Sequence, residues 1–190
     1  MKKKEIRQLL EATNVIQQGH FVLSSGRHAD IYMQCAKVLQ HPNHAAKLAA
    51  EIAVKWQGQN IDLVIGPALG GVVLSYVVAE QLGVRSLFSE RKNGEMKIRR
   101  GFELNAGEKV LVVEDVVTTG GSVKELLDLL EKMNVEIVGI SSIVDRSNGL
   151  VEFNYPFKAL LPIDIKSYKA NHCKLCQKEI PITRPGSKEN

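Results

Sequence analysis

Cysteine is scarce in this chain: there are three among 190 residues, two of them in a single C-x-x-C. That number makes no disulfide framework, so the fold must rest on an apolar core, and reducing conditions suit it. Long hydrophobic runs are also missing, and nothing approaches the roughly 20 apolar residues that a membrane span needs. The first residues, MKKKEIRQLLEATN, have no apolar stretch after their lysines that would act as a signal peptide. A soluble, cytoplasmic protein with no membrane partner is the expectation. No internal repeat or low-complexity tract is visible. Neither G-x-G-x-x-G after the first strand of the main sheet nor G-x-x-x-x-G-K-[ST] anywhere occurs, which argues against dinucleotide and Walker-type phosphate loops.

Charge of one sign is in short supply as well, since 25 Lys and Arg face 21 Asp and Glu for a net +4. Its distribution says more than its size. Residues 1–4 carry +3, residues 91–100 carry +4 and residues 166–190 carry +4, which leaves −7 on the rest of the chain. Basicity confined to two ends and one internal loop does not make a broad phosphate-backbone footprint, so no nucleic-acid partner is expected. It suggests a local anion site. The 44% apolar content is ordinary for a globular core, and the length fits one domain. We divide it into an N-terminal segment (1–40), an α/β core (41–165) and a C-terminal extension (166–190).

Hydrophobic spacing predicts a helix over 3–14, a turn at Gly19, and short strands at 21–23 and 31–33 around the polar turn 24–27. A helix over 42–56 follows, with Pro42 at a permitted early position. From residue 61 the pattern becomes regular: a strand at 61–65, a helix over 72–82, a strand at 110–113, a helix from about 122 to 133, and a third apolar run at 135–144. Near-continuous apolar strands separated by helices mark a parallel sheet covered on both faces. Ligands of such sheets bind beyond the strands' carboxyl ends, so the loops at 66–71, 114–122 and 145–147 should lie side by side.

The decisive stretch is VLVVEDVVTTGGS, residues 110–122. A buried strand delivers Glu114 and Asp115 to its carboxyl end, and Val116, Val117, Thr118, Thr119, Gly120, Gly121 and Ser122 then open a helix. Glycines allow close backbone approach, successive N–H groups face the loop, and the helix start adds partial positive charge, all of which favours a phosphate. Two carboxylates beside an anion cradle would repel a bare phosphate. A ribose 5-phosphate reconciles them, because its hydroxyls donate hydrogen bonds to the acids while its phosphate sits in the cradle. Carboxylates near the anomeric carbon also favour the positive charge that develops there when a leaving group departs.

This string resembles the phosphoribosyl diphosphate (PRPP) motif of type I phosphoribosyltransferases, and the resemblance extends over most of the chain to the orotate phosphoribosyltransferase family. Gly19-His20-Phe21-Val22-Leu23-Ser24-Ser25-Gly26-Arg27 is similar to that family's N-terminal F-x-L-x-S-G-R segment, Ile65-Gly66-Pro67-Ala68 to its diphosphate loop, and Val144-Asp145-Arg146 to a further match. The resemblance implies an α/β type I phosphoribosyltransferase fold: a parallel central sheet flanked by helices, a small N-terminal hood and a basic hairpin loop. It implies transfer of the phosphoribosyl group from PRPP to orotate in pyrimidine synthesis, with Mg²⁺ held mainly by PRPP rather than by dedicated protein ligands. A homodimer with shared active sites is implied too.

Carried over by position, residues 114–122 bind PRPP, Thr118 also touches orotate, and Arg146 pairs with orotate's carboxylate, for which its planar fork of donors is suited. A surface salt bridge is the alternative for Arg146. Tyr32 and Met33 align with residues near the base, with core packing as their alternative. The family's mobile basic loop corresponds to residues 90–101, where Arg91 and Lys92 match its start and join Asp115 among the catalytic candidates. Lys97, Arg99 and Arg100 compete for the loop's later cation, and Lys97 is the choice. The competing picture is a solvated charged hairpin turning at Asn93-Gly94. Ser24 and Gly70 stand where many members carry lysine.

In the tail, His172, Cys173 and Cys176 offer three zinc ligands, whereas a structural site wants four and no second C-x-x-C exists. A fourth ligand from a distant His or from a second copy of the chain, and thiol redox chemistry, stay open as alternatives; the expectation is an exposed, non-catalytic extension, with Cys35 buried. Two other functions stay open: a phosphoribosyltransferase for another nucleobase, and a non-enzymatic PRPP-sensing regulator on the same fold.

Overall fold

The computed structural model describes residues 1–23 and 25–184; the expectation at Ser24 and the last residues of the tail lie outside them. The elements, in order, are α1 (Lys3–Ala12), β1 (Ile16–Val22), β2 (His28–Met33), α2 (Ala36–Leu39), α3 (Pro42–Lys55), β3 (Leu63–Pro67), α4 (Gly70–Leu82), β4 (Arg85–Lys92), β5 (Glu95–Ile98), β6 (Lys109–Val117), α5 (Gly121–Glu131), β7 (Glu136–Asp145), β8 (Phe157–Pro162), β9 (Ser167–Tyr168), a 3₁₀ turn (Ala170–His172), α6 (Lys174–Gln177) and β10 (Ile182–Thr183).

The main sheet has the order β5-β4-β3-β6-β7-β8, parallel throughout except for the antiparallel edge strand β5. Its central strands are buried on both faces, and alternate residues serve different layers. Val64, Leu111 and Val113 pack with α1, α3 and α4, including Leu10, Leu48, Ile52 and Leu74. Leu63, Ile65, Val110 and Val112 pack with Val123, Leu126 and Leu130 of α5. Connections leave β3 toward β4 on one side and reach β6 on the other, so the topological switch point falls between β3 and β6. A ligand crevice is expected at their carboxyl ends. Among the described residues no helix is long and apolar enough to cross a membrane.

Two strands escape the apolar-run reading. In β4, RSLFSERK, buried and part-exposed positions alternate, and β8, FKALLP, lies at the sheet edge with only Leu160 and Leu161 buried. Between β4 and β5 the chain reverses at Asn93 and Gly94 with φ of 54° and 83° and Lys92 opposite Glu95, the two positive φ values of a type I′ hairpin turn.

A second, four-stranded sheet of order β10-β1-β2-β9 forms the hood. Gly19 is not in a turn: it lies inside β1, where the pairing with β2 shifts register between Gln18 and Phe21. The Phe21 ring lies over it, with Cζ 3.1 Å from where a β-carbon would stand. The expected exposed tail is also corrected. β9 pairs antiparallel with β2 and β10 parallel with β1, and Arg27 donates to Ser167 Oγ at 2.8 Å and to its carbonyl at 2.6 Å. Backbone pairing and a buried Cys173 make the tail half of the hood. Cys35 is buried, as expected.

Candidate active site

β6 runs on through the acids as far as Val117. Glu114 and Asp115 occupy its last turns of pleat, half-buried, whereas Thr118 and Thr119 are exposed beyond it. Gly120 then adopts φ 72° as the N-cap of α5. Glycine is required there twice over, by that backbone and because a β-carbon would stand 2.7 Å from Val151 Cγ1. Residues 114 and 116–123 line one concave surface at the start of α5, with the helix N-terminus aimed into it.

The two acids lie close together. The Asp115 N–H donates to Glu114 Oε1 at 3.1 Å, and the Val116 N–H to Asp115 Oδ1 at 2.8 Å. Burial, and then the neighbouring Asp115, push the Glu114 carboxyl up to about 9. Glu114 therefore keeps its proton at neutral pH. The pair does not present two full charges to an incoming phosphate, and a protonated acid both donates to and accepts from a ribose hydroxyl.

Loop 66–71 meets this acid pair directly. The Ala68–Leu69 peptide is cis. A β-carbon on Gly70 would overlap the Asp115 carboxylate, and one on Gly66 would overlap the backbone of Gly71. The missing lysine at position 70 thus has a steric account: no side chain fits between α4 and Asp115 in this arrangement. Beneath the acids lies Cys35, whose Sγ is 3.9 Å from the Asp115 carbonyl. Burial, Asp115 and Glu114 together raise its thiol well above the ordinary range.

Arg146 closes the crevice from β7. Its backbone N–H donates to the Val117 carbonyl at 2.8 Å, which fixes the residue beside Thr118. Asp145 accepts from the Ser147 N–H at 2.8 Å and does not pair with Arg146, which among the described residues has no ion pair. Arg146 Nε is buried with no hydrogen-bond partner. Burial lowers the guanidinium's proton affinity, with Tyr32 and Cys35 nearby acting in the opposite direction. Tyr32 is half-buried and its ring lies 5.6 Å from Phe21; Met33 is buried in the core.

The basic hairpin is held by acids of its own chain. Arg91 reaches Glu125 of α5 at 3.0 Å, Lys97 pairs with Glu95 at 2.8 Å, and Arg99 and Arg100 both hold Glu90. Arg91 is thereby placed one turn along the helix that opens at the cradle. Lys97 and Lys92 are not brought to the cradle in this arrangement. The sequence reading missed the contact of Gly70 with Asp115 and the thiol beneath the acids, for which the chain offers no local signal.

Among known families, the model for the phosphoribosyl transferase domain matches residues 34–173. An orotate phosphoribosyltransferase of Caldanaerobacter subterraneus subsp. tengcongensis is 50% identical over 189 residues, covering 100% of both chains. The chain belongs to the orotate phosphoribosyltransferase family. A second member, from Thermotoga maritima, is 49% identical over 183 residues, covering 96% of this chain and 98% of its own. The solved orotate phosphoribosyltransferase of Aeropyrum pernix shares the fold at a TM-score of 0.71 and 22% identity, over 83% of this chain and 93% of its own. The type I phosphoribosyltransferase architecture expected from the sequence is therefore the one present. The hood and hairpin decorate the mostly parallel sheet of that family.

Proposed function

We propose that the chain transfers the 5-phosphoribosyl group of PRPP to orotate, giving orotidine 5′-phosphate and diphosphate, and so serves pyrimidine nucleotide synthesis. The observation that carries the choice of acceptor is Arg146. A cation with a buried, unpartnered Nε, on a residue whose backbone N–H is tied to the strand end that delivers the cradle, is suited to a planar anion lying next to the ribose. Orotate's carboxylate provides the acceptor that the guanidinium lacks.

Each remaining part has a role in that reaction. The phosphate occupies the N–H groups at 118–122, and Glu114 and Asp115 take the ribose hydroxyls. A ring nitrogen of orotate bonds to C1 of the ribose as the C1–O bond to diphosphate breaks, the nitrogen's N–H proton passing to the departing diphosphate, and the nearby Asp115 carboxylate favours the positive charge on the sugar. The close approach of Gly70 to Asp115 leaves a side-chain-free wall for the diphosphate. Arg91 and Lys92 lie at the root of the hairpin that would cover the site, with Lys97 as the further cation. To engage a substrate, Arg91 leaves Glu125 and Lys97 leaves Glu95 for the diphosphate. Exposed ion pairs of this kind are worth no more than about 1 kcal/mol each, so the exchange is easy.

The hard carboxylate oxygens of Asp115 would fit Mg²⁺ arriving with PRPP, the ion being held mainly by substrate oxygens, while protonated Glu114 offers it no charge. When bound, it neutralises part of the charge on the departing diphosphate. A homodimer is supported by Leu69, Val73 and Tyr76, which expose apolar surface (86%, 44% and 68%) next to the diphosphate loop. A soluble, cytoplasmic location accords with this role. The test is to mix the protein with PRPP, Mg²⁺ and orotate, uracil or a purine base and follow the base's ultraviolet absorbance. Orotate alone should be consumed. Turnover of a purine without orotate refutes the assignment, and PRPP binding without turnover of any base favours a regulator.

A further inference from the structure

The hood holds a second cluster of chemistry-bearing side chains, to which no residue of the PRPP cradle contributes. His20 of β1 and His28 of β2 project from the same face of the antiparallel hairpin, with Val22 opposite His28. Cys173 and Cys176 come from the tail, at the N-cap of α6 and inside it. The His20 Nε2, His28 Nδ1 and two Sγ atoms all lie within 4.8 Å of one another. Both histidines and Cys173 are buried, and both cysteines are free thiols.

We propose that these four residues form a Cys₂His₂ zinc site that fastens the C-terminal tail to the N-terminal hood. The geometry is close to what the metal requires. A tetrahedral site with Zn–S near 2.3 Å and Zn–N near 2.05 Å puts sulfur about 3.6 Å from nitrogen and the two nitrogens about 3.3 Å apart. Cys173 Sγ and Cys176 Sγ both lie 3.6 Å from His20 Nε2, and Cys176 Sγ lies 3.3 Å from His28 Nδ1. The two nitrogens face each other at 2.7 Å, so the rings part by about 0.6 Å to admit the ion.

The surroundings also prepare the ligands. His20 Nδ1 is 2.7 Å from the Ile180 carbonyl. A carbonyl only accepts, so that nitrogen carries the proton and Nε2 turns its lone pair into the cluster, the outer-shell arrangement that orients a ligating histidine. Ile180 itself belongs to the tail, so one segment supplies both thiols and the carbonyl that sets the tautomer. Two thiolates and two imidazoles offer no oxygen donor, which suits zinc and disfavours magnesium or calcium. Two thiolates also cancel the charge of a divalent ion, leaving a neutral centre in a buried place. His172, the neighbour that the sequence offers as a ligand, is exposed and stands outside the four.

The test uses the full chain, expressed without a histidine tag and purified in reductant without chelator. Elemental analysis should find one zinc per chain. After the metal is stripped with a chelator under reducing conditions, Co²⁺ alone should restore one equivalent, with visible ligand-field bands of tetrahedral intensity and a near-ultraviolet thiolate charge-transfer band. Cys176→Ser and His28→Ala should lose the metal and unfold at lower temperature, whereas His172→Ala should keep it. Substoichiometric zinc together with no cobalt bands in the reduced wild-type chain overturns the proposal, as does a Cys173–Cys176 disulfide that leaves the protein unable to take up metal once reduced. Loss of metal on His172→Ala, or full binding by Cys176→Ser, overturns this ligand set. Should a variant fail to fold, the wild-type cobalt spectrum still decides, because charge-transfer intensity reports the number of thiolates.

Discussion

Replacing Arg146 with methionine should separate binding from stability. The guanidinium is half-buried, its Nε has no partner, and burial already depresses its proton affinity. The free chain therefore carries the desolvation cost of a cation without the compensating pair, and an apolar side chain of similar length relieves it. Unfolding of the free Arg146→Met protein should shift to equal or higher stability, by about 1 kcal/mol, the low end of what such replacements yield. Orotate should lose a charge-assisted, forked contact worth about 3 kcal/mol, equivalent to roughly 150-fold in its KM or Kd. PRPP affinity should change little, because the cradle at 118–122 is untouched. The assay pairs thermal unfolding, with and without each ligand, with steady-state kinetics in both substrates. Orotate at about 100 times its wild-type Kd should stabilise the wild type by about 2.7 kcal/mol, and most of that gain should vanish in the variant. A variant that is markedly less stable, with both substrates weakened equally, would refute the reasoning and show Arg146 to be a structural cation.

Three further expectations follow from the site. Gly70→Ala places a β-carbon on the Asp115 carboxylate; displacing that acid should raise the KM for PRPP about tenfold or more, at a stability cost of about 1–3 kcal/mol typical of overpacking, as read by kinetics and urea titration. Glu114 has a folded-state pKa of about 9, above its unfolded value. Its contribution is therefore fully present below about pH 4.3 and lost as pH rises toward 9. At pH 7 the loss is on the order of 3–4 kcal/mol, so Glu114→Gln should flatten the stability profile across pH 5–9, and identical profiles for the two proteins would contradict the assigned burial. Tyr76→Asp puts a charge into the exposed apolar row on α4; sedimentation should find a monomer with reduced turnover, and an unchanged dimer would place the interface elsewhere.

The core and the cradle were readable because their signals are local. Val110 to Val113 form one apolar run, and the acids, threonines and glycines that follow are contiguous in sequence. β4 was not readable because a half-buried strand with Arg85, Ser86, Ser89 and Glu90 among its residues has no apolar run. Gly19 suggested a turn, since the ring of Phe21 that occupies its empty side-chain position becomes evident only once the register shift is seen. The tail failed for a different reason. C-x-x-C and its neighbour His172 gave three ligands in a row, whereas the two histidines that complete the cluster stand about 150 positions away on a hairpin with no metal-binding spacing of its own.

The hood sheet has a consequence for how the chain is made. β1 has its partner strand β10 at the far end of the polypeptide, with His20 touching Ile180 across 160 positions. While the ribosome is still at work, the α/β sheet can close on its own local βαβ connections, but the hood waits for the last strand to emerge. Until then the hairpin β1–β2 has one unpaired edge on each side. Pairing so distant in sequence forms late and slowly, so the hood should form after the α/β sheet.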